Sequence, residues 1–164
     1  MGRKSTKENK NIYQLSREAA DLTRDGASEQ MVYISADRIE KIESGRSAPH
    51  PEEILTMSEC YKNPGLCNYF CSHECPIGMR HVPAVPKREL PQVTLEVLAT
   101  LNALVRDKDR LIEITADGKV SSDELRDFRE IRTRLERMGV AIDALGLWVQ
   151  NQIAAGEMQE DGNL

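Results

Sequence analysis

The sequence predicts an all-α protein. Three observations carry this. Apolar residues recur at three- and four-residue spacing along most of the chain, no segment alternates apolar and polar residues between turn residues, and aromatic residues are only 4% of the composition. The chain of 164 residues has room for one or two small domains. With 40% apolar and 30% charged residues, it matches neither a disordered nor a membrane composition.

Residues 1–10 are polar and basic and read as a loose arm. Asn11 to Leu22 carries Ile12, Leu15, Ala19 and Leu22 on one face, an amphipathic helix. Thr23 has the side chain of an N-cap and opens a second helix through Ala27 to Met31. The turn Val32-Tyr33-Ile34 leads to Ser35, a second N-cap, and to a third helix with Ile39 and Ile42 on its inner side. Gly45 suits the left-handed position that closes a helix. Pro51, Glu52 and Glu53 then fit the first turn of a fourth helix, where the missing proline N–H costs nothing and the dipole favours carboxylates.

This set of residues, Leu22-Thr23, Ala27, Ile34-Ser35, Ile39, Ile42-Glu43-x-Gly45 and Pro49-x-Pro51, resembles the Xre, or lambda-repressor-like, family of DNA-binding domains over about residues 11–62. The run CYKNPGLCNYFCSHECPIG, followed by an all-helical tail, is similar to a Firmicute-type subset of those regulators. The resemblance implies a helix-turn-helix domain, here residues 11–75 including a Cys-rich end, and binding to double-stranded DNA. In such a motif the third helix enters the major groove. Ser35, Ala36, Asp37, Arg38 and Lys41 occupy its outward positions, and Arg38 is the side chain suited to guanine O6 and N7. Arg17, Arg24, Lys41 and Arg46 are candidates for phosphates, as are the backbone N–H groups at Thr23 and Ser35. Arg3, Lys4, Lys7 and Lys10 of the arm would add salt-sensitive affinity. Asp37 and Glu40 lie on the same helix, where phosphates repel them; a carboxylate there can instead accept from cytosine N4. They keep open an adaptor that retains the helix-turn-helix shape but binds a protein.

Charge divides along the chain. Residues 1–88 hold 13 Lys/Arg against 12 Asp/Glu, and residues 89–164 hold 9 against 15. The front half is therefore where an anionic partner is expected.

All four cysteines, Cys60, Cys67, Cys71 and Cys75, fall in one window with spacing C-x6-C-x3-C-x3-C. Cys67 and Cys71 share a helix face at i,i+4, and Cys75 precedes Pro76, where a helix must stop. Three readings stand: thiols lining a core, a structural zinc ion, and an iron–sulfur cluster, expected as 4Fe–4S, held by four thiolates. The two C-x2-C knuckles usual for zinc are missing, and a Cys-Pro ending a compact run suits a cluster better. His73 and His81 are possible substitute ligands.

Pro76, Pro83, Pro86 and Pro91 mark residues 76–91 as a linker. Residues 92–155 read as a helical hairpin. Val93, Val97, Leu98, Leu101, Leu104, Val105, Leu111 and Ile112 form one stripe, and Asp117-Gly118-Lys119 breaks it. Ser121 and Glu124 make a capping box for the next helix. There Phe128, Ile131, Leu135, Met138, Ile142, Leu145 and Val149 follow a 3-4 heptad seam, with Trp148 beside it as an anchor. The expected use of this seam is a homodimer. Residues 156–164 read as a disordered tail.

No stretch approaches a transmembrane helix, and the basic start lacks the apolar region of a secretory signal. A cytoplasmic, reducing setting is expected, which disfavours disulfides. No phosphate loop, nucleophile elbow or metalloprotease motif occurs, so an enzyme is not expected.

Overall fold

A computed structural model describes residues 10–159; the basic residues Arg3, Lys4 and Lys7 and the last five residues lie outside the described part. Eight helices and no strand occur among the described residues. They are α1 (Ile12–Ala19), α2 (Arg24–Met31), α3 (Ala36–Glu43), α4 (Pro51–Cys60), α5 (Gly65–His73), α6 (Gly78–His81), α7 (Leu90–Thr115) and α8 (Leu125–Ala155). Two compact units form. Of the described residues, one holds 10–84 together with 149–159, and the other is Val85–Trp148. The division at Ala84 falls within the expected linker.

The first unit is built around one apolar cluster. Tyr13, Ala27, Met31, Ile34, Ile39, Ile42, Ile54, Met57, Tyr61, Leu66 and Phe70 are all buried in it. Each of the first five helices contributes, so no one of them is stable apart from the rest. The caps are local. Thr23 Oγ1 accepts from Gly26 N at 3.0 Å, and Ser35 Oγ accepts from Arg38 N at 3.2 Å. At the end of α3, Gly45 takes φ +71° while Gly45 N donates to Ile42 O and Arg46 N to Lys41 O. Both bonds satisfy carbonyls the helix leaves open.

Some boundaries differ from the sequence pattern. The first helix stops at Ala19, not Leu22, because Asp21 turns left-handed at φ +55° and Leu22 N caps Arg17 O. Leu15, expected on the inner face, is exposed. The expected linker 76–91 contains the single turn α6 and the start of α7, with Pro91 in the first turn. Proline is compatible with that position.

The second unit consists chiefly of α7 and most of α8. Thr100 Oγ1 lies 3.1 Å from Met138 Sδ, Arg134 Nη1 pairs with Asp107 at 2.5 Å, and Arg110 Nε pairs with Asp127 at 3.0 Å. Numbers that rise on α7 fall on α8 along these contacts. Ser121 N donates to Glu124 Oε2 at 3.0 Å just before α8, half of the expected capping box.

The heptad seam does not present one face. Ile131 is buried and Met138 half-buried beside Thr100, whereas Leu135, Ile142 and Leu145 are exposed. Phe128, Trp148 and Val149 are half-buried. Beside α7 the seam thus has an inward part and an outward part.

Candidate nucleic-acid interface

The outward side of α3 begins at its cap. Ser35, Asp37 and Lys41 are exposed, and Ala36 and Glu40 are half-buried. Ile39 and Ile42 are buried beneath them. The helix is thus held by its apolar side and leaves a polar strip in solvent.

The cations expected at this surface have different positions. Lys41 is exposed. Arg46 is exposed, hydrogen bonds Ser44 Oγ at 3.0 Å, and pairs with Glu40. Arg24, at the first position of α2, has 38% of its side chain exposed and donates through Nε to Glu43 at 2.8 Å.

Arg17 is buried and Arg38 half-buried, and both hold partners within the chain. Arg17 gives Nε and Nη2 to the two oxygens of Glu43 at 2.5 and 3.0 Å, and Nη1 to the Leu22 carbonyl at 2.6 Å. Both Arg17 and Glu43 are buried, so the ion pair ties α1 to α3 in place of meeting a phosphate. Burial opposes the charge on Arg17, but the Glu43 hydrogen bonds and charge outweigh it and hold the guanidinium protonated.

Arg38 forks onto Glu53 with two contacts of 2.6 Å, and also reaches Ser47 Oγ at 2.5 Å and the Ala48 carbonyl at 2.9 Å. This bidentate geometry is the one a guanidinium would use on guanine. Here a carboxylate of α4 already occupies it. The Arg38 hydrogen bonds hold the Glu53 carboxyl below its ordinary range, against the opposing effect of burial.

Sequence reasoning missed both carboxylate partners. In the sequence Glu43 stands out only as a member of the Ile42-Glu43-x-Gly45 motif and Glu53 only as a residue the helix dipole favours. Their distances in sequence, 26 and 15 residues, carry no local signal.

The four cysteines all pack against the core cluster as half-buried free thiols. Cys67 and Cys71 lie on α5. Cys75 follows two residues after its end, where Gly78 N donates to Cys75 Sγ at 3.4 Å. Burial, with the nearby Cys75 and Cys67 charges, pushes the Cys71 thiol up. Cys60 Sγ is directed to Gln30 Oε1 at 3.5 Å, and burial raises its thiol as well. Among the described residues, no three His, Cys, Asp or Glu side chains stand at metal-ligating separation. His73 is exposed, stacks on Tyr69 with ring centroids 4.5 Å apart, and has Nδ1 2.8 Å from Ser72 Oγ; His81 is exposed too.

No helix among the described residues is long and apolar enough to cross a membrane. Comparison with protein-family models, with curated proteins and with solved structures finds no match to this chain.

Proposed function

We propose that this chain is a sequence-specific regulator of transcription that binds double-stranded DNA, with α2, the following turn and α3 acting as a helix-turn-helix of the lambda-repressor-like type. The observation that carries the reading is the division of α3: Ile39 and Ile42 fully buried, Ser35, Asp37 and Lys41 exposed along the opposite side. An α-helix supported in this way has the diameter of the major groove. Base contact falls to Ser35, Ala36 and Asp37 at the start of α3 and to Lys41 in its last turn. Phosphate contact falls to Arg24, Arg46 and the helix starts at Thr23 and Ser35. Arg38, half-buried beside that surface, fixes α3 to α4. In the second unit, α7 and α8 form an antiparallel hairpin in this reading, supported by the falling register of their contacts.

A salt-titrated gel shift on random duplex DNA tests the proposal. Binding is expected at about 50 mM salt and falls steeply as salt rises. Lys41→Ala weakens it without loss of helix content. Absence of binding at low salt overturns the reading and leaves the adaptor, for which the acidic Asp37 and Glu40 are suited.

We also propose that Cys60, Cys67, Cys71 and Cys75 hold an iron–sulfur cluster, with zinc as the second candidate. The support is four thiols confined to the α4 end, α5 and the turn after it, one of them already accepting a backbone N–H. Such a group supplies a cross-link sensitive to oxidants. In this chain it would join the end of α4 to the segment after Cys75. Metal analysis and a visible spectrum of protein purified without oxygen test it. Colourless protein free of iron and zinc overturns it and leaves thiols that line the core.

A further inference from the structure

The second unit carries an apolar face that its own two helices do not cover. Leu98, Leu101, Val105 and Ile112 of α7 and Leu135 and Ile142 of α8 are 44–64% exposed. At about 100° per residue, the four on α7 lie roughly 100–160° round the helix from Thr100, and the two on α8 roughly 40–60° round from Met138, both in the direction of rising number. Thr100 and Met138 face each other, and the helices run opposite ways. The two rotations therefore bring all six side chains to the same side of the pair.

Gly139 and Gly146 lie on that side too, seven residues apart on α8. A Cβ at either would meet nothing within 4 Å. Glycine is a poor helix former, and here no packing within the chain requires it. What the two missing side chains provide is room for another backbone to come close.

We propose that this face is where a second copy of the chain docks. Three points select that occupant. The six side chains offer about 500 Å² of apolar surface per copy, so two copies would bury about 1,000 Å², enough for a specific interface. The rim carries both signs, with Lys108, Arg132, Glu136 and Asp143 all exposed. A rim of mixed sign is suited to meeting itself about a two-fold axis, whereas a partner of single sign would be repelled by half of it. The glycine pair fits the close crossing of two like helices. This interface differs from the heptad seam, since Ile131 and Met138 point into the unit and have no part in it.

Light scattering on the full chain without DNA tests the proposal at tens of micromolar concentration. The wild type is expected at twice its 18.5 kDa chain mass. Ile142→Glu and Leu101→Glu change exposed side chains and are expected at the single-chain mass with unchanged helix content. Ala99→Glu, exposed and roughly 260° round from Thr100 on the other side of α7, stays dimeric. The double variant Gly139→Leu, Gly146→Leu favours helix yet is also expected to be monomeric. A wild type of single-chain mass overturns the proposal and leaves the face for a different partner. So does an Ile142→Glu or double glycine variant that remains dimeric. Because no DNA is present, either outcome is independent of the helix-turn-helix reading.

Discussion

Arg17 and Arg38 each clamp two parts of the chain together. Arg38 binds one carboxylate, one hydroxyl and one carbonyl, from Glu53 of α4 and from the adjacent Ser47 and Ala48. Lysine has one ammonium and cannot span that set, so Arg38→Lys does not conserve it. Arg38→Ala is expected to lower stability at pH 7 by about 2 kcal/mol, in the range for hydrogen bonds to charged groups. Urea unfolding measures it. The pH dependence follows from Glu53, whose carboxyl is held below its ordinary range mainly by Arg38 and also by the His50 N–H. A depressed carboxyl stabilises the fold fully above its unfolded pKa of about 4.3, and loses that effect as pH falls through the folded value. The gap between wild type and Arg38→Ala should stay constant from pH 7 to about 5 and close in stronger acid. A gap that persists in acid would mean that Ser47 and Ala48, rather than Glu53, are what Arg38 holds.

Helix ends obey local rules, and there the sequence suffices. Thr23, Ser35 and Gly45 do what their residue types dictate within three or four positions. The short helix α6 is not visible in this way, because its place depends on tertiary contact. A Cβ on Gly78 would lie 2.1 Å from the Cys71 carbonyl oxygen and 2.7 Å from its carbon. Only glycine lets the turn after Cys75 lie against α5, and no neighbour within the turn announces it. Gly78→Ala must displace backbone, not a flexible side chain. It is expected to cost about 1–3 kcal/mol, as overpacking does, and to speed alkylation of Cys71 and Cys75. Normal stability with unchanged thiol protection would show that the turn can move aside. The seam on α8 was misread for a related reason. A 3-4 repeat marks one apolar stripe but not how much of its width a single neighbouring helix covers. Ile131 went inward and Leu135 and Ile142 outward, according to where α7 lies.

At the scale of the molecule, the two proposals make a joint demand on charge. The front half is nearly neutral and the rear acidic, so DNA affinity must come from a few placed cations and not from a general field. Arg24, Lys41 and Arg46 are the three on the α2–α3 surface that retain exposure. A dimer presents about six, which sets a slope of log affinity against log salt near −5.4, while a monomer with three gives about −2.7. Ile142→Glu leaves those cations untouched and lies in the other unit. If the apolar face joins two copies, that variant should roughly halve the slope and weaken operator binding. The wild type should also discriminate half-site spacing: two recognition helices reach successive major grooves on one side of the duplex, so inserting about five base pairs between half-sites turns one of them away. Ile142→Glu should be indifferent to that insertion. An unchanged slope in Ile142→Glu, with the wild type also indifferent to spacing, would mean that each copy binds DNA alone, whatever the face on α7 and α8 holds.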